Sequence, residues 1–72
     1  MSATYATRDD AILHEIINPL REQLGTGTTE DDVRAQYDVT AIALTTITAT
    51  GSTYRVGVDP ETFWQNVAFW AR

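Results

Sequence analysis

Apolar residues recur at intervals of three and four positions through the first third of the chain. They are Ile12, Leu13, Ile16, Ile17, Leu20 and Leu24. This spacing forms one broad apolar stripe along an amphipathic helix. Thr7 and Asp10 fit its start, because an N-cap threonine and an acid three residues later can each bond the other's backbone N–H group. Gly25 can end it in a left-handed conformation, so we predict a helix from about Thr7 to Leu24.

Pro19 lies inside this stripe and has no backbone N–H to donate to the carbonyl group of Glu15. The sequence leaves two outcomes open. The helix kinks at Pro19, or it stops and restarts with Asn18 as a new N-cap. We favour the kink, because the apolar stripe runs through Pro19 without losing phase.

A second capping pattern follows the first helix. Thr29 and Asp32 match the N-cap and the third helical position, which predicts a helix from Glu30 to about Tyr37. Asp38 then offers an N-cap for another short helix. Three helices are therefore expected within residues 7–45.

Residues 39–50 are rich in β-branched side chains, which would also suit one long strand. Their large apolar residues change from even positions, at Ile42 and Leu44, to odd positions, at Ile47. A single strand would therefore place large apolar side chains on both faces. We favour a short helix over 39–45 followed by a strand, with one continuous strand as the alternative.

Gly51 and Ser52 form a Gly-X pair that suits a two-residue type II′ turn between antiparallel strands. Folding about this turn gives four cross-strand pairs: Thr50–Thr53, Ala49–Tyr54, Thr48–Arg55 and Ile47–Val56. In this register the apolar pairs share one face and the polar pairs the other. A shift of one residue would destroy that agreement, so the pattern predicts a β-hairpin.

The closing stretch, residues 58–72, contains both tryptophans and both phenylalanines of the chain. Asp59 and Pro60 predict a helix start there. An aspartate side chain at the N-cap accepts bonds from free backbone N–H groups, and proline suits the first helical position. We expect the aromatic side chains of this helix to supply much of the core or much of a contact surface.

These aromatic side chains point in different directions around the helix. Phe63 and Trp70 share a face with Val67, Trp64 lies about 100° away, and Phe69 points nearly the opposite way. One flat neighbour cannot bury all four rings. Packing inside the domain on two sides is one interpretation. The other is that Trp64 or Phe69 contacts a partner protein or a second copy of the chain.

The predicted order is helix, helix, helix, hairpin and helix, which indicates a small, helix-rich α+β domain over residues 7–72. Residues 1–6 are expected to form a flexible tail. The predicted core draws on every element and comprises Ile12, Leu13, Ile16, Ile17, Leu20, Leu24, Val33, Tyr37, Ile42, Ile47, Tyr54, Val56, Phe63, Val67 and Trp70.

Composition narrows the classes of function. The chain carries 10 acidic residues against 5 arginines and no lysine, a net charge of −5. This balance weighs against general affinity for nucleic acid or anionic membranes. The absence of cysteine, of a recognisable signal peptide and of a long apolar run favours a cytoplasmic protein. All of the Lys/Arg positions are arginine, and alanine and threonine are abundant. This composition is typical of proteins from GC-rich bacterial or phage genomes.

No catalytic or metal-binding motif is evident. His14 is the single histidine, and the chain contains no cysteine. Because zinc sites need several such ligands, we expect His14 to be structural or solvated rather than to bind zinc. The acidic runs 9–10 and 30–32 lack the spacing of a calcium loop and suit helix starts. Gly25 and Gly27 lack the third glycine and the lysine of a phosphate loop. We expect no enzyme activity, no cofactor and no small-molecule substrate.

The order of elements resembles that of winged helix-turn-helix proteins. The helix over 39–45 would be the reader helix, residues 51–52 the tip of the wing, and Arg34 and Arg55 the contacts to nucleic acid. The chemistry is poor for this function, since the predicted reader helix lacks the Arg, Lys, Asn or Gln side chains that reach base edges. The acids at 30–32 beside Arg34 would also repel the DNA backbone.

Three hypotheses follow. The first is a non-enzymatic protein-interaction or regulatory module in which Trp64 and Phe69 make the contact. Its partner is another protein or, in a homodimer, a second copy of the chain. The second is a winged-helix-like DNA binder that uses Arg34 and Arg55. The third is an acidic DNA mimic that occupies the basic groove of a nucleic-acid enzyme, which requires the acids to align on one surface.

Overall fold

The computed structural model describes residues 3–72 of the chain. Over this range the chain forms 4 helices and a 2-stranded antiparallel sheet. Helix α1 is continuous through three segments, and the elements in chain order are α1 (Arg8–Ile12, Leu13–Ile17 and Asn18–Leu24), α2 (Glu30–Gln36), α3 (Val39–Thr46), β1 (Ile47–Thr50), β2 (Thr53–Val56) and α4 (Pro60–Phe69). The predicted α+β class and order of elements are confirmed.

Helix α1 passes through Pro19 without a break. Its middle segment, Leu13–Ile17, is π-helical, and the N–H group of Asn18 bonds to the carbonyl of Leu13, five residues back. This wider turn lies directly before Pro19, where a regular α-helical turn would press the proline ring against the preceding carbonyl. The alternative, a restart at Asn18, is wrong, because Asn18 itself has helical backbone angles (φ −62°, ψ −46°). The distortion takes the form of a π turn, a common source of helix bending.

The two threonine caps lie where the sequence predicts them. Oγ1 of Thr7 accepts a bond of 3.1 Å from the N–H group of Asp10. At the start of α2, Oγ1 of Thr29 accepts from the N–H group of Asp32 at 3.2 Å. Oδ2 of Asp32 accepts in return from the N–H group of Thr29 at 3.0 Å. The second pair is therefore a complete capping box.

The two aspartate caps differ from each other. Oδ1 of Asp38 accepts a bond of 3.1 Å from the N–H group of Ala41, which starts α3 as predicted. Asp59 occupies the N-cap position of α4, but its side chain makes no capping hydrogen bond. The predicted side-chain cap at Asp59 is wrong, and Pro60, with its fixed φ, begins this helix instead.

Residues 39–50 form a helix and then a strand, so the single long strand is wrong. Thr46 ends α3 and is buried, and its Oγ1 donates a hydrogen bond of 2.7 Å to the carbonyl of Ile42. Because this bond satisfies the hydroxyl group within the helix, the threonine can lie in the core. The strand begins at Ile47, where the apolar parity changes.

The hairpin has the predicted register: Ile47 pairs with Val56, Thr48 with Arg55, Ala49 with Tyr54 and Thr50 with Thr53. In the turn, Gly51 has a φ of 62°, whereas Ser52 does not have a positive φ. A positive φ at the first central residue alone is what distinguishes a type II′ turn from a type I′ turn.

The core lies where α1, α2, α3 and α4 meet. Its buried apolar members are Ile16, Ile17, Leu20, Val33, Val39, Ile42, Ala43, Phe63 and Val67, and partly buried members of the predicted core pack around them. Four buried residues are absent from the predicted core: Ala11, Val39, Ala43 and Thr46. Tyr54 is the exception among the predicted core residues, since it is half-buried and lies outside this cluster.

Tyr5 is fastened to the edge of the hairpin. Its N–H group donates to the carbonyl of Tyr54 at 2.9 Å, and the N–H group of Tyr54 donates to the carbonyl of Tyr5 at 2.9 Å. Of the tail expected over 1–6, Met1 and Ser2 lie outside the described residues. The mobility of the tail stays a prediction, but its Tyr5 is paired with β2.

Candidate interaction surface

Helix α4 leaves two of its aromatic side chains exposed. Phe63 and Val67 enter the core, whereas Phe69 is 75% exposed and Trp64 37% exposed. Trp70 is half-buried against the core. Of the two interpretations of this helix, the structure has the one in which aromatic side chains lie at the surface. Exposed rings keep apolar area in contact with water, which a binding partner could cover.

Phe69 lies at the C-terminal end of α4 on a well-fastened backbone. Its ring meets that of Trp70 edge-on, with centroids 5.0 Å apart and an interplanar angle of 85°. The carbonyl of Trp70 accepts a bond of 2.9 Å from the N–H group of Asp38, and the N–H group of Arg72 donates to the carbonyl of Gln36 at 2.7 Å. These bonds tie the end of α4 to the junction of α2 and α3, so the exposed ring is carried by an anchored segment.

Trp64 borders a groove between α1, the segment after β2 and α4. Its ring packs edge-on against Phe63, with centroids 5.2 Å apart and an interplanar angle of 88°. The groove has a volume of about 230 Å³ and is lined by Glu15, Pro19, Val56, Val58, Pro60, Phe63 and Trp64. Six of these residues are apolar, and the carboxylate of Glu15 is the charged group among them.

Tyr5 holds the carboxylate of this groove. Its hydroxyl group donates a hydrogen bond of 2.6 Å to Oε1 of Glu15. Its ring stacks on His14, with centroids 5.4 Å apart and an angle of 8° between the planes. This hydrogen bond, followed by burial and by the negative charge of Glu15, raises the pKa of Tyr5 to about 12. Only one aromatic residue in a polar segment hints at this contact in the sequence.

The two arginines of the DNA-binding hypothesis lie on different elements. Arg34, on α2, forms an exposed ion pair with Glu30, with Nε 3.1 Å from Oε2. It also lines a hollow together with acids from the start of α1. Arg55 is half-buried on β2, opposite Thr48. Acidic neighbours therefore surround Arg34, which lowers its attraction for a phosphate.

The helix expected to read DNA presents short side chains to solvent. Its exposed residues are Thr40, Leu44 and Thr45, and Leu44 is 65% exposed. The hydroxyl group of Thr45 is engaged with backbone carbonyls of its own helix. None of these side chains has the reach of an arginine, lysine, asparagine or glutamine. Leu44 instead adds a third exposed apolar side chain.

The other surface depressions described here have little catalytic or ligand-binding chemistry. One depression of about 500 Å³ is lined by residues of the 25–28 loop and by Asn18, Arg21 and Glu22 of α1. Its Arg21 uses Nε to donate to the carbonyl of Thr28 at 2.8 Å, which fastens the loop. Across residues 3–72, no cluster of three or more His, Cys, Asp or Glu side chains could hold a metal ion. No helix in the same range is long and apolar enough to cross a bilayer.

Comparison with family models, curated proteins and solved structures finds no significant match to this chain. A functional proposal therefore depends on the geometry of the domain itself. Its most distinctive surface is α4, with the exposed ring of Phe69 and the groove beside Trp64.

Proposed function

We propose that this domain is a non-enzymatic protein-interaction module that binds another protein, or a second copy of itself, through α4. One observation carries the proposal. Phe69 and Trp64 remain exposed on a helix whose other aromatic side chains contribute to the core. Aromatic residues are enriched in protein interfaces and dominate their binding energy when a partner covers them.

The two exposed rings suit different contacts. They are five residues apart in α4, which places them about 140° apart around the helix axis. A single flat partner would therefore not cover both. Phe69 protrudes and suits a flat apolar contact, including one between two copies. Trp64 borders a groove and suits a partner that inserts a side chain.

Net charge distinguishes the two kinds of partner. Two copies, each with a charge of −5, repel each other, so added salt should strengthen self-association through α4. A basic partner is attracted by the same charge, so added salt should weaken its binding. The salt dependence of association therefore reports which kind of contact is made.

Alanine variants test whether these rings serve binding or folding. Phe69→Ala should leave the free energy of unfolding within about 0.5 kcal/mol of the wild type, as exposed positions usually do. Trp64→Ala should also fold, with a small loss. The buried Phe63→Ala is the matched control and should lose about 3 kcal/mol or more. If the first two variants lose as much stability as the control, the rings belong to the core and the proposal fails.

A second candidate is the acidic DNA mimic, which one observation favours. Asp9 and Asp10, from the start of α1, line the same hollow as Glu30, from the start of α2. Arg34 in that hollow pairs with Glu30 and reduces the local negative charge. Inhibition of a DNA-binding enzyme that weakens in Asp9→Asn/Asp10→Asn, but not in Phe69→Ala, would favour this candidate over contact through α4.

A further inference from the structure

The groove beside Trp64 combines a carboxylate, an aromatic ring and apolar walls in one recess. Its volume of about 230 Å³ falls below the range of about 300–1,000 Å³ typical of small-molecule sites. A recess of this size fits one long side chain better than a whole metabolite. The chemistry of its lining then decides which side chain it would accept.

The charge in the groove favours a cation. Glu15 is half-buried there, and Tyr5 occupies its Oε1. Among residues 3–72, no arginine pairs with Glu15 and Oε2 accepts no hydrogen bond. A carboxylate that is partly shielded from water and has no ion-pair partner in its own domain is stabilised by a cation that arrives from outside.

Most of the charged residues next to the groove residues in the sequence are acidic. Asp59 and Glu61 flank Pro60, which lines the groove. Arg55 precedes the groove residue Val56, but successive residues of a strand point to opposite faces. Its guanidinium group donates a hydrogen bond of 3.5 Å to the carbonyl of Val56, and it forms no ion pair with Glu15 within residues 3–72.

The walls suit the two ends of a lysine or arginine side chain. Tryptophan attracts cations more strongly than the other aromatic residues, and 37% of the surface of Trp64 is exposed to solvent. Val56, Val58 and Pro19 supply apolar surface. Long basic side chains place their methylene groups on such surface while the charged end stays close to water.

We propose that this groove binds a lysine or arginine side chain from a basic segment of another protein, with the charged group between Glu15 and Trp64. The assignment rests on the proposed function, since it names the partner chemistry for the Trp64 part of that surface. A separate basic protein is a better occupant than a second copy, because the chain has a net charge of −5 and contains no lysine.

Peptide titration followed by NMR tests this site. The probe is acetyl-Ala-Arg-Ala-amide, and the matched uncharged probe has norleucine in place of arginine. The arginine peptide should shift the indole N–H signal of Trp64 and the amide signals of Val56 and Val58. Its binding should weaken as salt is added. The norleucine peptide should shift these signals much less.

Variants assign the effect to the groove. Glu15→Gln keeps an acceptor for Tyr5 and should weaken binding of the arginine peptide about fivefold. Glu22→Gln removes the same charge from an exposed position of α1 outside the groove and should leave binding unchanged. Trp64→Leu keeps apolar area but removes the indole face, and should weaken binding about threefold. It also supplies a second variant should Glu15→Gln fail to fold.

Two results would overturn the assignment. Equal shifts with the norleucine peptide would show an apolar groove that does not select for charge. Unchanged arginine binding in both Glu15→Gln and Trp64→Leu would place the peptide elsewhere.

Phe69→Ala separates this inference from the proposed function, because it should keep peptide binding while losing self-association. Peptide binding at the groove with no effect of either ring on protein association would leave the cation site standing without the interaction function.

Discussion

The hydroxyl group of Tyr5 donates a hydrogen bond of 2.6 Å to Oε1 of Glu15, which joins the start of the described chain to the middle of α1. The same residue is paired through its backbone with Tyr54 on the hairpin. Tyr5 therefore links α1 and β2, two elements that also contact each other directly. Because Glu15 lines the groove beside Trp64, this link also holds the groove's carboxylate in place.

Removal of the Tyr5 hydroxyl group should destabilise the domain. Tyr5→Phe keeps the ring on His14 but loses the bond to Glu15, and we expect a cost of about 1 kcal/mol. This corresponds to a fall of about 4–8 °C in the unfolding temperature of a domain this small. Circular dichroism during heating measures it. Tyr37→Phe is the control, because the Tyr37 hydroxyl group makes no hydrogen bond within residues 3–72. Equal effects of the two variants would contradict a role for the bond.

The same bond predicts a loss of stability at high pH. The pKa of Tyr5 rises from 10.0 to about 12 on folding, because the folded state favours the neutral phenol that donates to Glu15. Its contribution is therefore complete below pH 10 and is lost as the pH rises towards 12. Urea unfolding of the wild type and Tyr5→Phe over this interval should give a stability difference that shrinks as the pH rises. A constant difference would show that the phenol is not protected by folding.

The two aspartate N-caps should differ in their effect on stability. The Asp38 side chain bonds the N–H group of Ala41, so Asp38→Ala should cost about 1 kcal/mol. The Asp59 side chain makes no such bond, and Asp59→Ala should lose only a few tenths of a kcal/mol of dipole stabilisation. Urea unfolding of both variants measures the contrast. Equal losses would mean that Asp59 caps α4 in solution.

Gly57 should not tolerate a side chain. A Cβ atom there would lie 2.8 Å from Cγ2 of Thr48, closer than packed atoms allow. Because the χ1 angle of threonine is stiff, we expect Gly57→Ala to cost about 1–3 kcal/mol. Thr48→Ser lacks the Cγ2 methyl group, so the same glycine substitution should cost less in that background. A double-mutant cycle measures this coupling. Additive effects would contradict the close contact.

Local patterns in the sequence were sufficient for much of the fold. The hairpin register followed from two agreeing signals, the Gly51–Ser52 turn and the alternation of apolar residues. The boundary between α3 and β1 followed from the change of parity near Thr46. The continuity of α1 followed from the phase of its apolar stripe across Pro19. The π turn was not predictable, because it is a shift in backbone hydrogen bonding that side-chain spacing does not record.

Contacts between distant parts of the chain were harder to predict. The exposure of Phe69 agrees with its position on the helical wheel of α4. The groove beside Trp64 does not follow from local pattern, since packing brings Trp64 to the same recess as Glu15. Tyr5 was missed for the same reason. Its partners Glu15 and Tyr54 lie on other elements, and a short polar segment gives no periodic signal.

Sedimentation velocity over a wide range of concentrations tests the contact surface of α4 most directly. The samples are wild type, Phe69→Ala and Trp64→Ala, each at low and high salt and with short duplex DNA. The account predicts that the wild type associates as its concentration rises and more strongly in salt, that Phe69→Ala shifts towards the monomer, and that DNA has no effect. Association that is unchanged in both variants, or co-sedimentation with DNA that weakens with salt, would contradict it.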